Sequence, residues 1–162
     1  MTQKAHAAYG TALMRKNETG VFVAVAELRD ISGPSMEKDE IDVTTHDSPD
    51  GYREFIGGLK NPGEVEAEIN FLFENETHMQ AIDDFDSREN VLYRLVFPDA
   101  EAIEDRSYFE FHTTLLSFEF TAELEDAIVA SLTWKVSGKP ELVVGGSGEP
   151  SDYEESGTGG TE

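Results

Sequence analysis

The chain has no cysteine among its 162 residues, so it has neither a disulfide framework nor a thiolate metal site. It is poor in positive charge, with 12 Lys and Arg against 34 Asp and Glu, a formal charge of −22 and a pI near 4.3. That balance excludes binding nucleic acid by phosphate neutralisation, and it disfavours anionic membranes. No apolar run approaches the roughly 18 residues that would cross a bilayer. Met1 to Ala8 lacks the apolar core of a signal peptide, so synthesis and folding are expected in the cytoplasm. The four histidines, His6, His46, His78 and His112, form no H-x-x-x-H pair, and no catalytic or zinc constellation follows from them. Asp83-Asp84-Phe85-Asp86-Ser87 is rich in carboxylates but lacks the spacing and the glycine of a calcium loop, and reads as a solvated helix end. Gly57-Gly58 and Gly145-Gly146 lack the G-K-[ST] of a phosphate loop. No enzyme, metal or cofactor is therefore expected.

The chain does carry β-pattern nearly throughout, enough for one domain with extensions and a proper core. Tyr9–Lys16, the Asn17–Gly20 turn and Val21–Ile31 read as a hairpin, the second strand buried on both sides at its start. Ser32 to Asp42 is polar and opens on Gly33-Pro34; with the β-like Ile41–His46 it reads as a protruding arm. Glu89–Pro98 is a strand. Ser107–Thr121 is a long aromatic strand whose phase changes near Leu115-Leu116, which predicts a bulge. Its aromatics could stack on a sugar, but their alternation fits core packing better. Ala127–Val136 reads as the last full strand, stopped by Ser137–Pro140, with Glu141–Val144 as a short edge. Between the strands, Met79, Ile82 and Phe85 fall at helical spacing behind Asn75 or Thr77 as caps. This predicts one helix laid on the sheet with Met79, Ile82 and Phe85 inward, and fraying at acidic Asp83–Asp86. Residues 1–8 read as an arm, 9–144 as the domain with 32–63 protruding, and 145–162, mostly Gly, Ser, Pro and acid, as a disordered tail.

The organising stretch is Thr44 to Phe73. Asp47 to Gly63 is dense in turn chemistry (Ser48-Pro49-Asp50-Gly51, Gly57-Gly58, Asn61-Pro62-Gly63) and reads as a shaped surface loop with a helical turn at Tyr52–Ile56. Glu64 to Phe73 is the cleanest strand. Val65, Ala67, Ile69, Phe71 and Phe73 lie on one face, and Glu64, Glu66, Glu68 and Asn70 lie on the other. Carboxylates at alternate positions repel one another, so this row is either a plain solvated face or a surface selected to be negative.

The run Thr44–Glu64, with its T-x-x-D-S-P, Arg53-Glu54-Phe55 and Gly57-Gly58-Leu59-Lys60 followed by Gly63-Glu64, resembles the major tail tube proteins of lambda-like, long-tailed bacteriophages. The order of elements is also similar from about Gly10 to Gly138. The resemblance implies a mainly β fold: a β-sandwich or partial-barrel subunit with one α-helix. It implies hexameric rings stacked head to tail into a tube, whose lumen is a closed β-barrel that conducts DNA without binding it specifically. Some relatives carry a C-terminal immunoglobulin-like domain; this chain has only a short tail there. On this reading Glu64, Glu66, Glu68 and Asn70 face the lumen. Met36 and Ile41 of the arm, with Asp47, Tyr52, Arg53, Phe55 and Lys60 of the loop, make inter-subunit or inter-ring contacts. Arg53 and Lys60 are the expected charge partners of a neighbour's carboxylates. The partners implied are other copies of the chain, then tape-measure, tail-tip and terminator proteins, with the virion tail as location. The alternatives are a type VI secretion-like tube protein, which shares the ring-forming fold but not the loop motif, and a monomeric β-sandwich that binds small ligands.

Overall fold

The computed structural model describes residues 8–145 and the short strand 153–154. The expected N-terminal arm, apart from Ala8, and most of the acidic tail lie outside the described residues. The strands are β1 (Ala12–Lys16), β2 (Phe22–Ala24), β3 (Leu28–Ser32), β4 (Glu37–Asp42), β5 (Phe55–Asn61), β6 (Glu64–Asn70), β7 (Val91–Val96), β8 (Tyr108–Ala122), β9 (Ile128–Val143) and β10 (Tyr153–Glu154). Among the described residues a single α-helix, α1, spans Glu76–Asp86.

Eight strands form one sheet in the order β10-β2-β1-β7-β8-β9-β6-β3, and β4 and β5 form a separate hairpin. All described pairings are antiparallel except β10 beside β2. The sheet folds over on itself. Alternate residues of β1 and β7 (Leu13, Tyr93, Leu95) pack against those of β6 and β9 (Val65, Ala67, Ile69, Leu132, Trp134), all nearly solvent-free. The Tyr93 and Trp134 rings lie 5.4 Å apart across this core. Each large side chain buried there contributes roughly 2–3 kcal/mol. The opposite face of β1, β2, β7 and β8 carries a second cluster, Met14, Phe22, Val96 and Tyr108. There the Arg94 guanidinium lies over the Phe22 and Tyr108 rings and pairs with Glu110 at 2.9 Å.

The long strands turn the corner between the two halves by bulges. β8 shifts register between Glu110 and His112 and between Leu115 and Ser117, the second where the aromatic pattern changes phase. After that point Phe118 and Phe120 face inward against Phe71 and Phe85. β9 does not stop at Ser137. Gly138, with φ 78°, lets the strand bend and continue through Pro140 to Val143, so the expected short edge is the same strand.

Three other expectations are corrected. Val21–Ile31 is two strands: Val25 still bonds back to Leu13, Glu27 takes φ 57°, and β3 then joins the far rim beside β6. The expected helical turn at Tyr52–Ile56 is a 3-10 turn at Pro49–Gly51, and Phe55–Asn61 is strand paired with β4 rather than loop. In α1 the buried stripe is Thr77, His78, Ala81 and Asp84, with Met79 and Phe85 about half exposed. The helix docks on polar partners as much as on apolar ones. His78 bonds the Leu72 amide and approaches the Ala26 carbonyl oxygen, Asn75 caps the Thr77 amide, and Asp84 takes two bonds from Arg15 at 2.6 and 2.8 Å. Apolar periodicity alone could not find a stripe made of His, Thr and Asp.

Candidate functional site

The outward face of β6 continues across its neighbours. The strand register sets Glu66 beside Ser32 of β3 and Thr133 of β9, and Thr133 beside Ser117 of β8. One step along, Asp30, Glu68, Ser131 and Glu119 form the next row. Glu64 lies opposite Lys135 at one end, and Asn70 opposite Val129 at the other. Because side chains alternate with period two, every one of these residues points away from the core that holds Val65, Ala67, Ile69, Leu132 and Trp134. The result is a four-stranded face rich in carboxylates and hydroxyls, which also carries Lys135 and Val129.

Glu66 and Glu68 are exposed; Glu64 and Asn70 are half-buried, and the Asn70 amide lies 3.4 Å from the Glu27 carboxylate. The row read from the sequence is thus brought together on one face. Asp30 and Glu119 extend it and were missed, since neither sits on β6. Only strand register reveals them; their alternation with Ile31 and Phe120 was the available signal.

Both sides of this face end in backbone that is unpaired among the described residues. β3 is the last strand of its sheet. β8 pairs with β7 only as far as Thr113, so its half from Thr114 to Ala122 has a partner on the β9 side alone among the described residues. Unpaired strand edges are templates for further strands, and native proteins seldom leave two of them open unless something covers them.

The seven residues expected at subunit contacts all fall on or beside the β4–β5 hairpin. Met36 leads into it, Ile41 lies on β4, Asp47 and Tyr52 lie on its tip, Arg53 follows the tip, and Phe55 and Lys60 lie on β5. All seven are exposed, as are Ile56 and Leu59. A two-stranded hairpin with no core of its own is marginally stable alone. Its base is braced locally: Gly63 (φ 78°) lies so close to the Ser35 carbonyl oxygen that any Cβ would collide with it. At the tip, Ser48 bonds Glu54 at 2.6 Å and Thr44 accepts from the Glu54 amide. Arg53 lies 3.8 Å from Asp42 of its own hairpin, both solvent-exposed, whereas Lys60 has no ion pair among the described residues. Asp42 is held below the usual carboxylate range by hydrogen bonds from Thr44.

Among the described residues no group of three or more His, Asp or Glu side chains is placed to share a metal ion, and no helix is long and apolar enough to cross a membrane. In the Asp83–Asp86 run, Asp84 is turned inward to Arg15 while Asp83 and Asp86 point to solvent.

This fold is shared with subunits of tail and injection assemblies. A chain from the virion of a native gene transfer agent particle superposes with a TM-score of 0.68 at 19% identity, covering 86% of this chain and 100% of that one. The SPP1 tail tube gives 0.65 at 12% identity, covering 85% and 77%. The sheath-tube complex of an extracellular contractile injection system, PVC, gives 0.67 at 11% identity, covering 88% and 93%. No curated protein matches the chain. The fold is thus a known one, a mainly β subunit with one helix. The family described as phage tail tube, TTP, lambda-like matches residues 4–144, and the chain belongs to that family. It is a structural component of the virion tail and not an enzyme.

Proposed function

We propose that six copies of the chain close into a ring by joining the free edge of β3 on one subunit to the free edge of Thr114–Ala122 of β8 on the next, and that the rings stack into a tube that conducts DNA. The observation that carries this reading is that the two open edges bound one and the same acidic face. Closure removes both edges, and it turns that face into the wall of a continuous barrel. Glu64, Glu66, Glu68 and Asn70, with Asp30 and Glu119, then line the bore. Carboxylates repel phosphates, so the genome passes without adhering. Sixfold symmetry is favoured by the tail of the empty gene transfer agent particle, refined with C6 symmetry, whose chain shares the fold at a TM-score of 0.65.

Assembly on this reading works against charge, since each copy brings −22. Strand pairing and apolar burial must outweigh the repulsion, and salt weakens it. The β4–β5 hairpin supplies apolar contact through Met36, Ile41, Tyr52, Phe55, Ile56 and Leu59, seated on a neighbouring subunit or ring. Tape-measure, tail-tip and terminator proteins are the further partners of such a tube.

The absence of native cysteine gives a clean test. Asp30→Cys is combined in turn with Ser117→Cys, Glu119→Cys or Thr121→Cys, and oxidised under assembling conditions. At least one pair is expected to give a covalent ladder that ends at a closed hexamer. A ladder from none of the pairs, in a preparation that visibly forms tubes, contradicts the edge pairing.

A further inference from the structure

The lysines are not scattered. Three of the six, Lys38, Lys60 and Lys139, rim a groove of about 630 Å³ where the hairpin base meets β9, with Met36, Pro62 and Pro140 forming its apolar floor. Glu37 is the one acid in its lining. None of the three lysines makes an ion pair among the described residues. On a chain of charge −22, a cation-rimmed apolar groove is the reverse of the general surface.

The turn that begins β9 has the complementary chemistry, acidic around one apolar side chain. The β8–β9 turn projects Leu124, fully exposed, between Glu123, Glu125 and Asp126, all exposed. The turn lies at the start of β9 and the groove at its Gly138 bend, at opposite ends of the Ile128–Lys135 half of the strand. Ile128 follows the turn, and Lys135 marks the groove end of the acidic face roughly 23 Å away at the usual strand rise. A surface and its complement at separate places on one subunit form a heterologous contact, which propagates head to tail.

We infer that the acidic Leu124 turn of one subunit seats in the lysine-rimmed groove of a second copy in the adjacent ring, and that this contact sets the polarity of stacking. Leu124 covers the Met36–Pro62–Pro140 floor, while Glu123, Glu125 and Asp126 meet Lys38, Lys60 and Lys139. The contact rests on the tube reading but is separate from the β3–β8 closure, which joins subunits within a ring. It also accounts for how so acidic a subunit stacks: the few lysines stand where rings would otherwise meet with like charge.

The test uses the full chain and reads rings and stacks separately, by negative-stain microscopy and sedimentation. One variant reverses the groove (K38E, K60E, K139E), a second reverses the turn (E123K, E125K, D126K), and a third, Leu124→Ala, removes the apolar point. Every altered residue is exposed, Pro62 and Pro140 of the floor are left intact, and unchanged thermal melting verifies folding. Each charge-reversed variant alone is expected to form rings but to need about tenfold more protein to stack, and the two mixed together are expected to stack into alternating tubes. Wild-type tube lengths in either reversed variant would overturn the inference while leaving ring closure standing. Failure of the wild-type chain to form any ring would instead overturn the tube reading on which it rests.

Discussion

Asp84→Asn removes the anchor that holds α1 against the sheet. The Asp84 carboxylate takes the Arg15 Nε and Nη2 bonds at 2.8 and 2.6 Å, and the Tyr93 hydroxyl lies 3.3 Å from it. The side chains of Arg15 and Asp84 are only 13% and 9% exposed, so the pair is largely shielded from water. The amide keeps the shape but leaves the guanidinium charge without its counter-ion. Breaking a buried pair from one side costs about 3–5 kcal/mol, and the lower end applies because Asn retains an acceptor and the Gln80 side chain stays near Arg15. At about 2–4 °C per kcal/mol for a domain of this size, the melting temperature falls by roughly 6–12 °C. Asp83→Asn, one residue away and exposed, is the control, with an expected change within about 0.5 kcal/mol. Urea titration of dilute, unassembled protein by circular dichroism measures both. Equal midpoints for the two variants would refute the anchoring role.

Burial pushes the Tyr93 phenol above its ordinary value near 10, so the folded state holds that proton more tightly than the unfolded chain does. Its contribution to stability is intact below about pH 10 and is lost as pH rises beyond it, and Tyr93→Phe is expected to flatten that alkaline decline in a pH series of urea midpoints. Gly63→Ala places a methyl group against the Ser35 carbonyl at a positive φ, and a loss of at least about 2 kcal/mol is expected by thermal melting. Replacing Glu66 and Glu68 together with Lys is expected to leave melting within about 1 kcal/mol, since both are exposed, yet to give particles that retain or stall DNA on ejection. Normal ejection kinetics in a fluorescent DNA-release assay would contradict a lumenal position for the pair.

What the sequence revealed tracks where the physics is local. Alternation on Glu64–Asn70, the bulge near Leu115-Leu116 and the Asn75 cap are each set by residues within a few positions of one another, and each is present. The split of Val21–Ile31 was hidden because a long-range choice decides it: β2 belongs to one rim and β3 to the other, and Glu27 accepts an unusual φ to allow both. Turn-forming Gly and Pro obscured β5, whose pairing with β4 tolerates Gly57 and Gly58 because Lys38, Asp39 and Ile41 side chains fill the space a Cβ would need. The acidic row on β6 was legible, but the full face was not, because Asp30 and Glu119 join it only through register with strands distant in sequence. The groove at the hairpin base was equally invisible, assembled as it is from residues 36–38, 60–62 and 138–140.

The most direct measurement is a side-chain-resolution cryo-microscopy map of the assembled tube. It is predicted to show β3 of each subunit hydrogen-bonded to the Thr114–Ala122 half of β8 on the next, with Glu66, Glu68 and Glu119 turned into the bore. A map with those carboxylates on the outer wall, or with either edge left open, contradicts the account.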